Sequence, residues 1–513
     1  MKGPLGYGSE LVKMFAATHE PPSVIYDTRT YHGGILISLS NQSVLVAVVL
    51  ALLLADANGQ ELNKDGAALA EIRVFNGPGR LIPKAFLGLS HEWGSIRDMM
   101  GSTKTGTNLV YHQMLRNLTA YGSDPIEIRI GGNSTDTNGV PSGDRVTPLS
   151  ELWIVAHTPF TLGVNLGSGD VALSEKQLTF YASQLPKGAI EAIELGNEPD
   201  AYPKRKMRQE PYAVSEYLTD FDKWKAALAP LLPEGTRLVG PSWSSPTLPY
   251  TNKFLFREAR SIGAFTVHFY AGNPYSSPAA DYLLKPRSAT YGPLVLAPAI
   301  VAAHNQQIPI RINELNSFYG VGVHGLSDAF SAALWSIDTM FEYVNAGVDG
   351  VNWEADGVNF CSPFLFEHTR SGEINTYTLK SATPLYYGLL FFQATTPKGA
   401  KLVPVELDTL ANVKAWATVD SAGVTRMAIL NKDETATGDV SVQLPGFHRA
   451  TVMRLLAPSY SSLTGVTFGG RTLDGSSDGR LLGEEKADTV ISVGDRFNIS
   501  MPITSAALIT FYR

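Results

Sequence analysis

The chain has 513 residues, more than one hydrophobic core usually covers, so we expect a large domain together with a smaller one. Hydrophobic residues make up 44% and charged residues 17%, a balance typical of globular rather than disordered proteins. The formal charge of −7 argues against a nucleic-acid partner, because phosphate binding requires a basic surface. A small anionic ligand is not excluded, since a few local donors suffice to bind one.

An apolar segment predicts that residues 1–57 form an N-terminal extension to the folded protein. Residues 44–54 are an uninterrupted apolar run, and the small-x-small pattern Ala55-Asp56-Ala57 follows it. Together they are typical of a signal peptide cleaved near Ala57, which predicts a secreted, extracellular protein. The run begins unusually late in the chain, and residues 38–43 before it carry no positive charge.

A signal anchor over residues 33–57 is the alternative interpretation of this extension. Its polar segment at 38–43 is unsuited to a membrane core, so we expect no obligate membrane partner. In a secreted protein the sequons Asn117-Leu-Thr and Asn498-Ile-Ser would be usable, which predicts a glycoprotein. The sequence leaves the oligomeric state open.

From residue 85 to about residue 355, short apolar runs alternate with longer amphipathic stretches. The apolar runs lie at 85–90, 125–132, 160–166, 189–195, 236–241, 265–270, 308–313 and 350–353. Helix-like stretches between them include 108–121, 174–185, 212–232 and 327–345. Apolar strands that alternate with helices indicate a parallel sheet covered on its outside, and eight such units predict an α/β fold, a closed (β/α)8 TIM barrel over residues 68–385. A doubly wound open sheet is the structural alternative.

The last part of the chain, residues 386–513, has a different pattern. Short strand-like segments at 413–419, 424–430 and 451–456 are separated by Asp, Gly, Ser and Pro turns, which predicts an all-β sandwich domain. Residues 68–80 precede the first barrel strand and are expected to pair back into this domain.

Cysteine and histidine patterns give no sign of a metal centre. Cys361 is the single cysteine, so no disulfide can form within the chain. The sequence contains no Cys-x-x-Cys pair and no His/Cys cluster with metal-ligand spacing. We therefore expect a mechanism that uses neither a metal nor a cofactor.

Two glutamates occupy matching positions at the ends of predicted strands four and seven. Glu198 follows the apolar run 189–195 in a Gly-Asn-Glu-Pro motif, and Glu314 follows the run 308–313 in Ile-Asn-Glu-Leu. In a (β/α)8 barrel the C-terminal ends of all strands face one mouth, so both carboxyl groups are expected there. Two carboxyl groups about 5–5.5 Å apart, one protonated and one ionised, are what a retaining glycosidase requires.

Three segments taken together resemble clan A retaining glycoside hydrolases. They are Gly-Asn-Glu-Pro at 196–199, Ile-Asn-Glu-Leu-Asn-Ser at 312–317, and Arg-Ile-Gly-Gly-Asn-Ser at 129–134. Within the clan, the chain most resembles glycoside hydrolase family 79, the β-glucuronidase and heparanase group, over roughly residues 68–513. The resemblance implies that Glu198 is the general acid/base and Glu314 the nucleophile.

The same resemblance implies roles for residues close to the two glutamates. Asn197 would bond the sugar 2-hydroxyl, an interaction that strengthens as positive charge develops at the anomeric carbon. Tyr270, at the end of predicted strand six, resembles the family's tyrosine beside the nucleophile and would keep Glu314 ionised and oriented. Capping of the core is the alternative role for Tyr270.

A glucuronide also carries a carboxylate, and the resemblance places its binding group after the nucleophile. In the family's β-glucuronidases a tyrosine and backbone N–H groups of that loop bind the carboxylate, and Tyr319, Gly320 and Val321 occupy the place here. A glycine-rich turn without a ligand is the alternative. No Lys or Arg occurs between residues 313 and 349, so neutral donors would bind the anion, which suits a small exo substrate better than a sulfated polymer.

Four further residues lie where predicted strands end. Glu92 is expected to bond distal sugar hydroxyls or to form a surface ion pair, and Arg129 to steady Glu314 electrostatically. Asn133 belongs to a tight rim loop that we expect to be buried in the site. Trp353 is either a platform on which a sugar stacks or a core residue.

The sequence therefore predicts a secreted, cofactor-free, retaining exo-glycosidase whose partner is a glycan substrate. It would release β-linked glucuronic acid, with or without a 4-O-methyl group, by double displacement. An endo-acting, heparanase-like enzyme is the alternative within the same class. A non-catalytic carbohydrate-binding surface protein is the alternative from another class.

Overall fold

The computed structural model describes residues 68–75 and 77–513. The predicted signal peptide or anchor within residues 33–57 lies outside the described residues. In the described part of the chain, none of the helices has both the length and the apolar character needed to cross a membrane.

The elements are numbered in chain order. The strands are β1 (Ala70–Val74), β2 (Arg80–Leu81), β3 (Leu87–Glu92), β4 (Gly101–Ser102), β5 (Gly106–Thr107), β6 (Glu127–Gly131), β7 (Phe160–Val164), β8 (Ile190–Leu195), β9 (Arg237–Trp243), β10 (Ile262–Gly272), β11 (Ile310–Phe318), β12 (Gly350–Glu354), β13 (Phe364–Ser371), β14 (Ile374–Ala382), β15 (Lys401–Val403), β16 (Val405–Asp408), β17 (Val413–Val419), β18 (Thr425–Asn431), β19 (Gly438–Gln443), β20 (Arg449–Leu456), β21 (Thr467–Phe468), β22 (Asp488–Ile491), β23 (Arg496–Met501) and β24 (Ser505–Tyr512). The α-helices are α1 (Ile96–Met100), α2 (Leu109–Thr119), α3 (Gly143–Ala156), α4 (Val171–Gln184), α5 (Val214–Leu228), α6 (Leu248–Glu258), α7 (Pro286–Asn305), α8 (Phe330–Ala346) and α9 (Pro384–Thr395).

Eight strands close into a parallel barrel, which confirms the predicted (β/α)8 fold. Around the ring they follow chain order, from β3 through β6, β7, β8, β9, β10 and β11 to β12, which pairs with β3 again. Every residue of β6, β7 and β12 is buried, as expected for strands covered by helices on the outside and packed side chains on the inside. The barrel therefore holds every strand C-terminus at one rim.

The strand that carries Glu314 is longer than its apolar run predicts. Glu314 lies within β11 rather than after it, because β11 keeps pairing with β10 up to Phe318 opposite Gly272. The polar residues that follow the apolar run are thus part of an extended strand pair. This pair forms one side of the barrel mouth.

Of the strands outside the barrel in the described chain, twelve form the predicted all-β sandwich, while β4 pairs with β5 and β13 with β14 in two separate two-stranded sheets. The larger sheet of the sandwich has the order β2-β15-β17-β18-β24-β20-β21, with β22 also paired to β20, and the smaller sheet has the order β16-β1-β19-β23. The two sheets share a core in which Ile72 and Phe497 of the small sheet meet Met427 and Ile509 of the large one. Alternate residues of these strands face this core, which matches their period-two pattern.

The first strands of the described chain belong to the β domain. Ile72 of β1 is paired with Leu407 of β16 on one side and with Val442 of β19 on the other, and β2 pairs with β15. We therefore propose that residues 68–81 are part of the β domain and that the barrel begins near residue 82.

The boundary expected between residues 385 and 386 falls inside helix α9. This helix is buried along its whole length, and Leu385, Leu389 and Phe392 belong to the barrel's hydrophobic core. Since the helix packs as one body on the barrel, we propose a domain boundary after Thr395 instead. Chain composition does not reveal this boundary, because an apolar helix and apolar strands have the same residue types.

Candidate active site

The C-terminal rim of the barrel encloses a cavity of about 790 Å³. Its lining comes from strands on opposite sides of the ring, including Arg129 of β6, Tyr270 of β10 and Glu314 of β11. The loop after β8 adds Glu198. Polar side chains from distant parts of the sequence therefore meet at this rim, as in other barrels of this kind.

Glu314 reaches the cavity because strand β11 contains a bulge. Pairing with β10 is regular up to Ile312 opposite Val267 and resumes at Glu314 opposite His268, which leaves Asn313 as the extra residue. Asn313 and Glu314 consequently both lie on the inner side of the barrel, against the usual alternation. The Asn313 amide donates to Ser242 Oγ at 2.9 Å.

Arg129 is completely buried and connects several polar groups of the site. Its Nη2 lies 2.6 Å from the buried carboxylate of Glu194 and donates to Asn197 Oδ1 at 2.7 Å. Its Nη1 donates to Glu314 Oε2 at 2.8 Å. The planar guanidinium is held by this pairing, so the donor to Glu314 has a fixed direction.

Glu314 is held in its ionised form. Burial on its own would raise the pKa of Glu314, but the charges of His268 and Arg129 and hydrogen bonds from Tyr270 and Arg129 lower it to about 2. Tyr270 Oη donates to Oε1 at 2.7 Å, while Arg129 donates to Oε2. Each carboxylate oxygen keeps a further lone pair, so Glu314 remains able to attack a carbon atom.

Glu198 leaves strand β8 through a tight turn in the left-handed region. Gly196 has a φ of +70° and Glu198 a φ of +50°. A Cβ atom at Gly196 would lie 2.2 Å from Tyr202 Oη and 2.7 Å from Leu166 Cβ, so only glycine fits there. A left-handed glutamate is uncommon and is typical of backbone held in place at a functional site.

The two glutamates meet around His268. His268 Nδ1 lies 3.0 Å from Glu198 Oε1 and 3.7 Å from Glu314 Oε2, and the facing atoms of all three residues lie within 4.8 Å of one another. Carboxyl groups are about 5–5.5 Å apart in retaining glycosidases and about 6.5–9.5 Å apart in inverting ones, and the facing oxygens of this pair lie closer than the inverting range.

His268 is the hydrogen-bond donor between the two carboxyl groups. Burial on its own would lower the pKa of His268, but the charge of Glu314 and the hydrogen bond to Glu198 raise it. We therefore assign the proton to Nδ1, which donates to Glu198.

Glu198, His268 and Glu314 are also close enough together to hold a metal ion. Two guanidinium groups, however, already bind the carboxylates, Arg129 on Glu314 and Arg205 on Glu198. Fixed positive charges at this distance oppose the binding of a cation. The arrangement suits proton transfer and nucleophilic attack better than metal coordination.

Glu92 and the rim loop after β6 form another side of the cavity. The Glu92 carboxylate accepts hydrogen bonds from the backbone N–H groups of Asn133 at 2.6 Å and Ser134 at 2.7 Å. Burial raises the pKa of Glu92, although the hydrogen bonds from Ser134 oppose this rise. Asn133 is exposed rather than buried and lines the cavity, because its loop folds over Glu92.

A further carboxyl pair, Glu354 and Asp356, lies next to Glu92. Burial raises the pKa of Glu354 well above its ordinary value, and the charge of Asp356 raises it further. Asp356 accepts a hydrogen bond from the backbone N–H of Glu92 at 2.7 Å. Glu354 faces the cavity, and both of its carboxyl oxygens accept hydrogen bonds from the Asn359 amide, at 3.2 and 3.3 Å.

Of the loop predicted to bind a sugar carboxylate, Tyr319 and Gly320 line the cavity. Tyr319 Oη donates to Asn273 Oδ1 at 2.8 Å, and Gly320 has a φ of +73° with no atom near the place of a Cβ. Val321 is not among the lining residues. Its side chain is 63% exposed, and its carbonyl accepts the Phe360 N–H at 2.9 Å.

Two further residues predicted at the site, Trp353 and Asn197, are buried and are not among the residues that line the cavity. Trp353 is fully buried and packs edge-on against Trp335 of α8, with ring centroids 5.4 Å apart. Side chains alternate along β12, so Glu354 faces the cavity and Trp353 the helices, which makes Trp353 a core residue. Asn197 is only 1% exposed, and its amide is bonded to Arg129 and Asn133.

Sequence reasoning overlooked four residues of the site: Glu194, Arg205, His268 and Glu354. His268 precedes Tyr270 by two positions, so period-two alternation already places both on one face of the strand. Glu194 is an acid within an apolar run, which signals a buried charge pair. Arg205 lies in the basic stretch 204–208 after the acid motif, a signal that the sequence does contain.

Comparisons with known proteins find related sequences. The model of the glycosyl hydrolase family 79 C-terminal beta domain matches residues 415–508. A curated β-glucuronidase of Aspergillus niger is 24% identical over 497 residues, covering 83% of this chain and 90% of its own length. A β-glucuronidase of Neurospora crassa is 21% identical over 499 residues, covering 78% and 87%.

Solved structures share the fold. A 4-O-α-L-rhamnosyl-β-D-glucuronidase from Fusarium oxysporum is similar with a TM-score of 0.69 and 16% identity, over 86% of this chain and all of that one. A family 51 arabinofuranosidase from Xanthomonas axonopodis pv. citri is similar with a TM-score of 0.67 and 13% identity, over 87% of this chain and all of that one. The resemblance to glycoside hydrolase family 79, β-glucuronidase type, is thereby confirmed, and the chain is a glycoside hydrolase.

Proposed function

We propose that the protein is a retaining exo-glycosidase that releases β-linked glucuronic acid, with or without a 4-O-methyl group, from the end of a glycan. The observation that carries this proposal is the spacing of Glu198 and Glu314, whose facing oxygens lie within 4.8 Å of each other across His268. In this mechanism Glu314 is the nucleophile and Glu198 the general acid/base.

In the first step a Glu314 oxygen forms a bond to the anomeric carbon as the glycosidic C–O bond breaks. Glu198 gives its proton to the departing oxygen, so the aglycone leaves as an alcohol. In the second step Glu198 takes a proton from water, and the resulting hydroxide displaces Glu314 from the sugar. Glu314 returns as a carboxylate and Glu198 regains its proton.

The choice of glucuronide is supported by the two curated relatives, which are β-glucuronidases of similar length. The backbone at Gly320 lines the cavity after strand β11 and is available to bind a sugar carboxylate. Tyr319 would join it by turning its hydroxyl away from Asn273. Exo action is supported by the cavity of about 790 Å³, which fits a terminal sugar and its neighbour.

Glu198→Ala together with Glu314→Ala tests the assignment of roles. With an activated aryl glycoside, we expect azide to restore turnover of Glu198→Ala and to give a β-glycosyl azide, because a small anion can attack the intermediate without a general base. Glu314→Ala should form no glycosyl-enzyme and no β-azide. If NMR shows that wild-type hydrolysis first releases the α-anomer, the retaining mechanism is wrong.

A panel of 4-nitrophenyl glycosides tests the sugar. We expect the β-glucuronide to have the highest kcat/KM, above the β-glucoside and β-galactoside that differ from it mainly at C5. A higher value for either neutral sugar would reject the glucuronide proposal and leave the retaining mechanism intact. Terminal monosaccharide as the first product from an oligosaccharide would establish exo action, whereas internal fragments would refute it.

We also propose that the protein is secreted, on the pattern of residues 44–57. Culture medium and cell extract of the native source can be compared by activity and by N-terminal sequencing. A mature N-terminus close to Ala57 in the medium is expected, and intact protein retained in cells would contradict the proposal.

A further inference from the structure

We propose that Lys204 and Arg205 form a subsite for an anionic group on the aglycone. They belong to the loop after β8, next to the general acid/base, so the inference rests on the proposed function. The ligand chemistry is a carboxylate or sulfate attached to the leaving group. Nothing in the β-glucuronidase activity as such requires this specificity.

Two of the cationic side chains that line the cavity are free to contact a ligand. The Lys and Arg residues among the described lining are Arg129, Lys204 and Arg205. Arg129 is buried and fully engaged by Glu194 and Glu314, so it cannot turn towards a bound aglycone. Lys204 is exposed, and Arg205 has a 26% exposed side chain.

These two cations lie in the loop that carries Glu198, the proposed general acid/base. Arg205 Nη2 binds Glu198 Oε2, and its Nη1 donates to the Asn197 carbonyl at 3.3 Å. A general acid has to touch the glycosidic oxygen, so the aglycone lies on the Glu198 side of the cleaved bond. Lys204 and Arg205 therefore face the leaving group rather than the glucuronic acid.

The opposite side of the cavity carries carboxyl groups. Glu92, Glu354 and Asp356 line the cavity there, and the cation nearest to them in the described lining, Arg129, is already paired with Glu194 and Glu314. An additional anion on the glycone would meet carboxyl groups, while one on the aglycone meets two cations. The cavity is thus polarised along the substrate, which favours one orientation of an anionic ligand.

Neighbouring carboxylates leave this subsite free. Asp200 lies in the same loop, but its carboxylate accepts hydrogen bonds from the Ser244 hydroxyl at 2.9 Å and from the N–H groups of Ser244 at 3.1 Å and Ser245 at 3.0 Å. It is bound to the loop after β9 and does not line the cavity. Within residues 68–75 and 77–513, Glu198 is the carboxylate that Arg205 contacts, and in the proposed mechanism Glu198 has to be protonated when it acts as the acid.

An aglycone anion would then do two things at once. It would bind to Lys204, and it would compete with Glu198 for the Arg205 guanidinium. Arg205 would release Glu198, which needs a proton to act as the acid, and would bind the aglycone anion, which stays ionised. The subsite therefore links recognition of the aglycone to the state of the general acid.

Paired substrates test this inference. We would compare 4-nitrophenyl and 3-carboxy-4-nitrophenyl β-glucuronides in the wild type and in Lys204→Gln. Lys206→Gln is the matched control, because Lys206 is an exposed lysine of the same loop that does not line the cavity. The two aryl groups leave with different intrinsic ease, and the comparison between enzymes cancels that difference.

We expect Lys204→Gln to lower the ratio of kcat/KM for the anionic over the neutral aglycone by about fivefold, mainly through KM, as for a partly exposed charge pair. Lys206→Gln should leave the ratio within twofold of wild type. The wild-type preference should fall as salt rises from about 10 mM to about 500 mM, which shortens the Debye length. A second variant, Arg205→Gln, should lower the same ratio and also change kcat.

A ratio that Lys204→Gln and Arg205→Gln leave unchanged would overturn the subsite. Equal losses in Lys204→Gln and Lys206→Gln would also overturn it, because they would reflect net charge alone. Failure of the glucuronide proposal is distinguishable, since it appears with the neutral aglycone in the wild type. The same aryl pair would then be built on the sugar that the enzyme does hydrolyse.

Discussion

Replacement of Tyr270 by Phe removes one hydrogen bond from Glu314, the proposed nucleophile, and little else. Tyr270 Oη donates to Glu314 Oε1 at 2.7 Å, and no other donor among the described residues reaches that oxygen. Phe keeps the ring, so the packing of β10 is retained. Arg129 still binds Oε2, which keeps Glu314 in place.

The expected magnitude follows from the charge on the acceptor. A hydrogen bond to an ionised group contributes about 1.5–3 kcal/mol, which is roughly a 10- to 150-fold loss in kcat/KM if the bond orients the attacking group. The same loss of a donor raises the pKa of Glu314 from about 2 by about one to two units, since one unit corresponds to about 1.36 kcal/mol. Glu314 has to be ionised to attack, so the acidic limb of the kcat/KM profile moves to higher pH.

The sign of the stability effect is fixed by the direction of the pKa shift. The pKa of Glu314 is depressed in the folded state, so its ionisation contributes stability that is present above its ordinary value of 4.5 and is lost as pH falls through about 2. Tyr270→Phe should reduce this contribution at neutral pH. Because the folded-state pKa of Glu314 would then lie closer to 4.5, this contribution to stability should be lost over a narrower range of acid pH.

The assay is kcat/KM for 4-nitrophenyl β-glucuronide between pH 3 and pH 8. Tyr282→Phe is the control, because the Tyr282 hydroxyl donates to the Ala271 carbonyl at 2.7 Å and does not touch Glu314. An unchanged acidic limb in Tyr270→Phe, with kcat/KM within twofold of wild type, would refute the role assigned to this hydroxyl. A matching loss in Tyr282→Phe would attribute the effect to folding.

Three further predictions concern the support of the site and the junction of the domains. Gly196→Ala should lower Tm and kcat together, because its Cβ would lie 2.2 Å from Tyr202 Oη at a φ of +70°; a variant with wild-type Tm would contradict this. His268→Asn should reduce kcat by about one to two orders of magnitude with little change in Tm, since it loses the Nδ1 donor to Glu198, and a KM-only effect would argue against it. Lys432→Met should destabilise the protein by about 3–5 kcal/mol in chemical denaturation, because it leaves Asp338 buried without its partner; adding Asp338→Asn should recover part of the loss.

The barrel could be predicted from the sequence because its signals are local and repeated. Each apolar run is a strand buried on both faces, and the run at 189–195 corresponds closely to β8. Polar residues just after the runs were sufficient to place Glu198 and Glu314 at one rim. Fold and candidate catalytic pair thus follow from strand order alone.

Whether an individual side chain points into the cavity or out towards the helices was harder to predict. The bulge at Asn313 changes which residues of β11 face the cavity, and no residue type announces it. Side chains alternate along β12, but the sequence alone does not say whether Trp353 or Glu354 faces the cavity; the direction of one side chain on the strand has to be known first. The partner strands of Ile72 lie more than 300 residues further along the chain, where only tertiary pairing can reveal them.

The two carboxylates of the site are held in part by different kinds of structure. Glu314 is bound by donors on strands β6 and β10, which are buried and cannot move without opening the barrel, so its ionisation is built into the structure. Glu198 Oε1 is bound by His268 of β10, but its Oε2 is bound by Arg205 from a loop, and that second contact can be exchanged for solvent or for a ligand. A double displacement needs this difference, because the nucleophile must start as an anion in every turnover while the acid/base has to gain and lose a proton. The strands therefore fix the proposed nucleophile, and the loop after β8 is the place where we expect substrate identity to influence the proton of the proposed acid/base.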